Sequence, residues 1–128
     1  MELYLGGRAQ GKLALALQRY PDAKVLDETC FEEELTDASR IVWNHLHLFV
    51  KEWLSQGMEP TQIWERVSGL LDQHPSMVVI SDEIGNGIVP MDKEERRYRE
   101  ETGRLLCKLA ARAEKVERIF CGIPQRIK

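Results

Sequence analysis

Short apolar runs alternate along the chain with longer stretches of helical period. Glu2–Leu5 is a strand candidate ending at Gly6-Gly7, and Gly11–Tyr20, rich in Leu and Ala, predicts a helix stopped by Pro21. Lys24–Leu26 and Arg40–Trp43 are weaker strand candidates; the acidic stretch Phe31–Ser39 between them has too little pattern to predict an element. From Leu46 the helical period is firm, with Leu46, Phe49, Val50, Trp53 and Leu54 on one face before Gly57. Pro60 suits the first turn of a further helix that points Ile63, Val67, Leu70 and Leu71 inward and closes at Pro75.

Met77–Ile80 is apolar without alternation, as in a strand covered on both faces. Ser81–Pro90 reads as a loop, and Asp92 with Glu95 as a capping box opening a helix with Tyr98, Thr102, Leu105, Leu106 and Leu109 inside. Val116–Cys121 is a last strand, ending at Gly122. This alternation predicts an α/β fold: one domain over residues 1–128, three layers, with a mostly parallel sheet. Ligands of such sheets sit outside the carboxyl ends of the strands, so the loops at Gly6, Asn44, Ser81 and Gly122 are expected to share one rim.

Composition narrows the class. The chain has 128 residues, 43% hydrophobic and 30% charged, which excludes disordered and low-complexity classes. A net charge of −3 argues against broad nucleic-acid binding, while leaving room for a small cationic pocket. Cys30, Cys107 and Cys121 are odd in number and lack metal-ligand spacing, so reduced thiols at or near the core are expected, in a cytoplasm. No run approaches the ~18 apolar residues of a membrane span, and the N-terminus lacks a signal peptide's layout. The expectation is a cytoplasmic protein without a membrane span.

Candidate chemistry begins at Gly6-Gly7-Arg8-Ala9-Gln10-Gly11-Lys12, which has the spacing of a phosphate-binding loop between a strand and a helix. Glycines let backbone wrap a phosphate, amides donate inward, and the helix N-terminus adds partial positive charge. Lys12 is the cation for the β- and γ-phosphates, and Arg8 a second. The following position, where a hydroxyl binds Mg²⁺, is Leu13, which cannot ligate a metal. A glycine turn with a solvated lysine is the plainer alternative; the strand–loop–helix context favours phosphate, and with it a three-layer α/β/α P-loop domain.

Asp82 and Glu83 form a second constellation beyond the apolar strand. Paired carboxylates there can hold Mg²⁺ through water or accept a proton from an attacking hydroxyl, and Gly85 and Gly87 would let backbone approach a ligand. By residue type alone, an acidic turn is the better reading. His45 and His47 are two apart and point to different helix faces, so they make a poor metal pair; His74 suits a helix end. Structural roles are expected for all three, and packing roles for Trp43, Trp53 and Trp64.

The segments SDEIGNGIVP, YREETGRLLCKLA and FCGIPQRIK, together with GGRAQGK, resemble the bifunctional adenosylcobinamide kinase / adenosylcobinamide-phosphate guanylyltransferase family. The resemblance implies a P-loop protein late in cobalamin biosynthesis. Such a protein phosphorylates the aminopropanol hydroxyl of adenosylcobinamide, then transfers GMP from GTP through a guanylylated histidine, and assembles as a homotrimer. It further implies that Gly6, Gly7, Arg8, Ala9, Gln10, Gly11 and Lys12 bind the phosphates of ATP or GTP. Gly85 and Gly87 join the site loop, with Lys12, Glu83 and Asp82 as the catalytic set.

Three departures accompany it. Leu13 stands in place of the metal-binding hydroxyl, and Asn44 in place of a magnesium-associated Asp, so the usual Mg²⁺ ligands are unmatched and no metal ligand is assigned. Val25–Arg40, where the family carries its nucleophile, contains no histidine. Two readings follow: a shortened kinase acting on a nucleotide and a corrinoid, or a catalytically degenerate module that binds either without turnover.

Overall fold

Leu3 and Tyr4 are both fully buried on opposite faces of β1 (Glu2–Gly6), so this strand has apolar layers on either side. The computed structural model describes residues 1–29, 40–84 and 92–128 of the chain; Cys30, the stretch Phe31–Ser39, Gly85 and Gly87 lie outside the described residues. β1 pairs in parallel with β4 (Val78–Asp82) on one side and β5 (Lys115–Phe120) on the other. Beyond β4 come β3 (Ile41–Trp43) and the edge strand β2 (Lys24–Leu26), both parallel. β6 (Ile123–Arg126) runs antiparallel to β5 and closes the order β2-β3-β4-β1-β5-β6.

α1 (Lys12–Arg19) covers one face, over Tyr4, Val42, Val78, Ile80 and Ile119. α2 (Leu46–Ser55), α3 (Pro60–Gln73) and α4 (Lys93–Arg112) cover the other, where Leu3, Trp43, Val79 and Val116 point. The three-layer arrangement and mostly parallel sheet agree with the sequence expectation. Trp43 and Trp53 pack edge to face at 6.2 Å between ring centroids, with Phe49 5.4 Å from Trp43. Such ring pairs add about 1 kcal/mol beyond the area they bury, consistent with packing roles for these tryptophans.

Four local expectations are corrected. Ser81 and Asp82 belong to β4 rather than to a loop, because the ladder continues against Leu5 and Gly6 of β1. The chain does not end its strands at Gly122: Cys121 and Gly122 have φ of 50° and 76°, the pair of positive values a tight hairpin turn requires, and β6 returns beside β5. Asp92 caps α4 through the Glu94 N–H, at 2.9 Å, rather than through a box with Glu95. The reciprocal box instead opens α3, where Gln62 accepts from the Glu59 N–H at 2.8 Å. Finally, Cys107 and Cys121 are exposed, not core thiols, since one faces outward from α4 and the other sits in the hairpin turn.

The chain leaves β1 to build β2, β3 and β4 on one side of it, then returns through α4 to lay β5 on the other. The carboxyl ends of β1 and β4 therefore flank the switch in strand order, where α/β sheets open a crevice.

Candidate functional site

The end of β1 is a glycine for a steric reason: a Cβ on Gly6 would lie 2.4 Å from the Ile119 carbonyl oxygen. The following turn passes through Ala9, with φ of 58°, and Gly11, with φ of 88°, the second being the N-cap of α1. Gln10 fixes this loop to the β5–β6 turn. Its carbonyl accepts the Gly122 N–H at 2.7 Å, and its side-chain Oε1 accepts the Cys121 N–H at 2.7 Å. The first turn of α1 carries no side-chain cap, so its N–H groups are available to an anion at the loop.

Lys12, the first residue of α1, is 6% exposed. Its Nζ lies 2.8 Å from Asp82 Oδ1 and donates to the carbonyls of Gly7 at 2.6 Å and Gly6 at 3.2 Å. An ammonium has three protons, and here three acceptors surround it. The lysine is thus held inside the strand–loop–helix turn, in the wall of a cavity of about 680 Å³ that also takes in Arg8, Gln10, Asn44, His45 and Asp82. That volume falls within the range of small-molecule sites. The loops after β1 and β3 and the last residue of β4, Asp82, converge there, and the turn at Gly122 is bonded to Gln10 beside it.

His47 was expected to be structural, and the fold brings it into this site. It is 6% exposed and spans both ends of Asp82: its Nδ1 accepts the Asp82 N–H at 3.1 Å, and its Nε2 lies 3.4 Å from Asp82 Oδ2. Because an amide can only donate, Nδ1 is unprotonated and the ring's proton sits on Nε2, facing the carboxylate. Burial pushes the His47 imidazole below its ordinary pKa, outweighing the Asp82 charge that would raise it. His45, on a left-handed backbone at the N-cap of α2, lines the same cavity with Nδ1 3.3 Å from Glu28 Oε2. The available signal in the sequence was position: both histidines follow directly on the carboxyl end of β3.

The carboxylate pair separates. Asp82 faces Lys12 and the cavity, whereas Glu83 is held in a two-pronged contact by Arg118, at 3.0 and 3.1 Å, and is not among the residues lining the cavity. Gly85 and Gly87 lie outside the described residues. Among the described residues the usual Mg²⁺ ligands are unmatched: Leu13 packs against the cluster of Tyr4 and Ala16, Asn44 brings no charge, and in the ligand-free arrangement Asp82 Oδ1 faces Lys12. Among the described residues, no group of three or more His, Cys, Asp or Glu could hold a metal, and no helix is long and apolar enough to cross a membrane.

A family model described as cobinamide kinase / cobinamide phosphate guanyltransferase matches residues 16–127. The match begins within α1, so the loop from Gly6 to Lys12 precedes it. Among curated proteins, none matches the chain.

Proposed function

Since the chain belongs to the cobinamide kinase / cobinamide phosphate guanyltransferase family, a family of cobalamin biosynthesis, we propose that it phosphorylates the aminopropanol hydroxyl of adenosylcobinamide with ATP or GTP. The observation that carries the reading is Lys12, buried between the Gly6–Gly7 carbonyls and Asp82 in the wall of the cavity. The loop from Gly6 to Gly11 wraps the terminal phosphates, and Arg8 adds a second cation. Lys12 exchanges Asp82 for a phosphate oxygen as the nucleotide enters. That exchange leaves Asp82 Oδ1 open to the cavity, where it takes the proton of the attacking hydroxyl. A new O–P bond forms to the γ-phosphorus, the bridging P–O bond breaks, and the nucleoside diphosphate leaves with the electron pair.

Glu83 supports Asp82 from the next position through its fixed contact with Arg118. No metal step enters this scheme. Guanylyl transfer is not included, because Val25–Arg40 has no histidine to carry the nucleotide. The purified protein, given adenosylcobinamide and either triphosphate with and without Mg²⁺, is expected to release adenosylcobinamide phosphate, read by mass spectrometry. No product under any of these conditions would refute the kinase reading.

Leu13 and Asn44 favour a second reading, a module that binds nucleotide or corrinoid without turnover. It is supported by nucleotide affinity that is unchanged by Mg²⁺ together with absence of product. Under either reading the protein is proposed to act in the cytoplasm as a homotrimer, which light scattering on the eluting protein tests directly.

A further inference from the structure

Asp82 is gripped by one side chain at two places, and that side chain belongs to no motif quoted from the sequence. His47 comes from the first turn of α2, accepts the Asp82 amide through Nδ1 and faces Oδ2 through Nε2. The other carboxylate oxygen, Oδ1, points to Lys12 Nζ at 2.8 Å. The two oxygens are thus divided between two partners. We infer that His47 is a positioning residue, which holds the Asp82 carboxylate so that Oδ1 presents itself to Lys12 in the resting site and to the substrate hydroxyl when Lys12 moves onto phosphate.

The restraint is rotational. A carboxylate turns about its own Cβ–Cγ bond, and an acceptor held at only one oxygen is free to swing away when that contact breaks. The imidazole prevents this, because its ring is fixed at Nδ1 by a backbone amide and cannot follow Lys12. A neutral ring is needed: a proton on Nδ1 would expel the amide and free the ring to rotate. This is the arrangement in which a proton acceptor is oriented by a third group behind it. The second role of Asp82, receiving the hydroxyl proton, rests on the kinase reading; the first, restraining Lys12, does not.

The test uses the full chain in two arms. In the ligand-free protein, ¹⁵N spectra of the imidazole are expected to show the Nε2–H form of His47. Brief treatment with acetic anhydride is expected to acetylate Lys12 roughly threefold faster in His47→Leu than in wild type, since the lysine loses a fixed partner. His47→Gln, which keeps a donor for the carboxylate, is expected to restore the slow rate. In the second arm, His47→Leu is expected to lower kcat by about 100-fold with KM nearly unchanged, and His47→Gln to recover most of it. A proton on Nδ1, or Lys12 equally reactive in all three proteins, overturns the assignment. A wild-type protein that forms no product but shows the Lys12 effect rejects the kinase reading and retains His47 as the restraint on Asp82.

Discussion

Lys12 and Asp82 meet at 2.8 Å from strands and helices 70 positions apart in sequence, the lysine almost wholly buried and the carboxylate largely so. Each is the other's only oppositely charged neighbour at that distance among the described contacts of the cavity, and the consequences of removing either are unequal. Lys12→Met leaves a carboxylate facing a carbonyl-lined turn, so the expected loss of stability is about 3 kcal/mol in chemical denaturation. Asp82→Asn costs less, and the double variant is expected to recover about 1 kcal/mol or more relative to the sum of the single changes. Strict additivity would show that the pair is uncoupled.

Acid should weaken the fold in two separable steps. The native His47 pKa is lowered by burial, so the unfolded chain binds the proton more readily; the stability it contributes is complete above about pH 6.5 and falls as the pH drops toward the native value. The slope there approaches about 1.4 kcal/mol per pH unit at most. At Glu117, burial alone would raise the pKa, but hydrogen bonds from Lys115 and Arg19 hold it below the ordinary value. Its contribution is present above about pH 4.5 and is lost below. Thermal denaturation followed from pH 8 to 3 should show both declines, and His47→Gln should abolish only the upper one.

Gly6→Ala places a methyl group 2.4 Å from the Ile119 carbonyl oxygen, a backbone atom that cannot rotate away. Separation of β1 from β5 is the only relief, at a cost of about 3 kcal/mol. Gly7→Ala meets only the Gln10 side chain, at 3.6 Å, and is expected to cost under about 1 kcal/mol. Equal denaturation midpoints for the two variants would contradict this geometry.

Gln10→Ala removes the acceptor of the Cys121 N–H while leaving the backbone bond to Gly122 intact. Amide exchange at Cys121 is expected to accelerate about fivefold, corresponding to roughly 1 kcal/mol, with Gly122 much less affected. Acceleration at neither amide would mean that the side chain does not hold the turn.

Much of this architecture was legible in the pattern of residues. Val78, Val79 and Ile80 form an unbroken apolar run because helices cover both faces of β4, and the GGRAQGK loop lies where a strand meets a helix. What escaped was set by contacts rather than by local pattern. β6 has Pro124 and only exposed residues, so nothing in Ile123–Arg126 alternates between core and solvent; a pair of positive φ angles turns the chain back. Ser81 and Asp82 look like loop residues by polarity, and only pairing to β1 makes them strand. His47 reads as one polar position in a helix, since its partner is 35 positions away and the period of the helix carries no information about it.

The bonds from Gln10 to Cys121 and Gly122 make the opening and closing segments of the chain a single mechanical unit. A register slip, an insertion or a proteolytic nick between residues 120 and 123 would be felt first by the loop from Gly6 to Lys12, not by the distant helices. On the proposed nucleotide reading, loss of affinity should therefore precede any loss of secondary structure when the C-terminal hairpin is damaged, making it a sensitive handle for impairing binding without unfolding the protein.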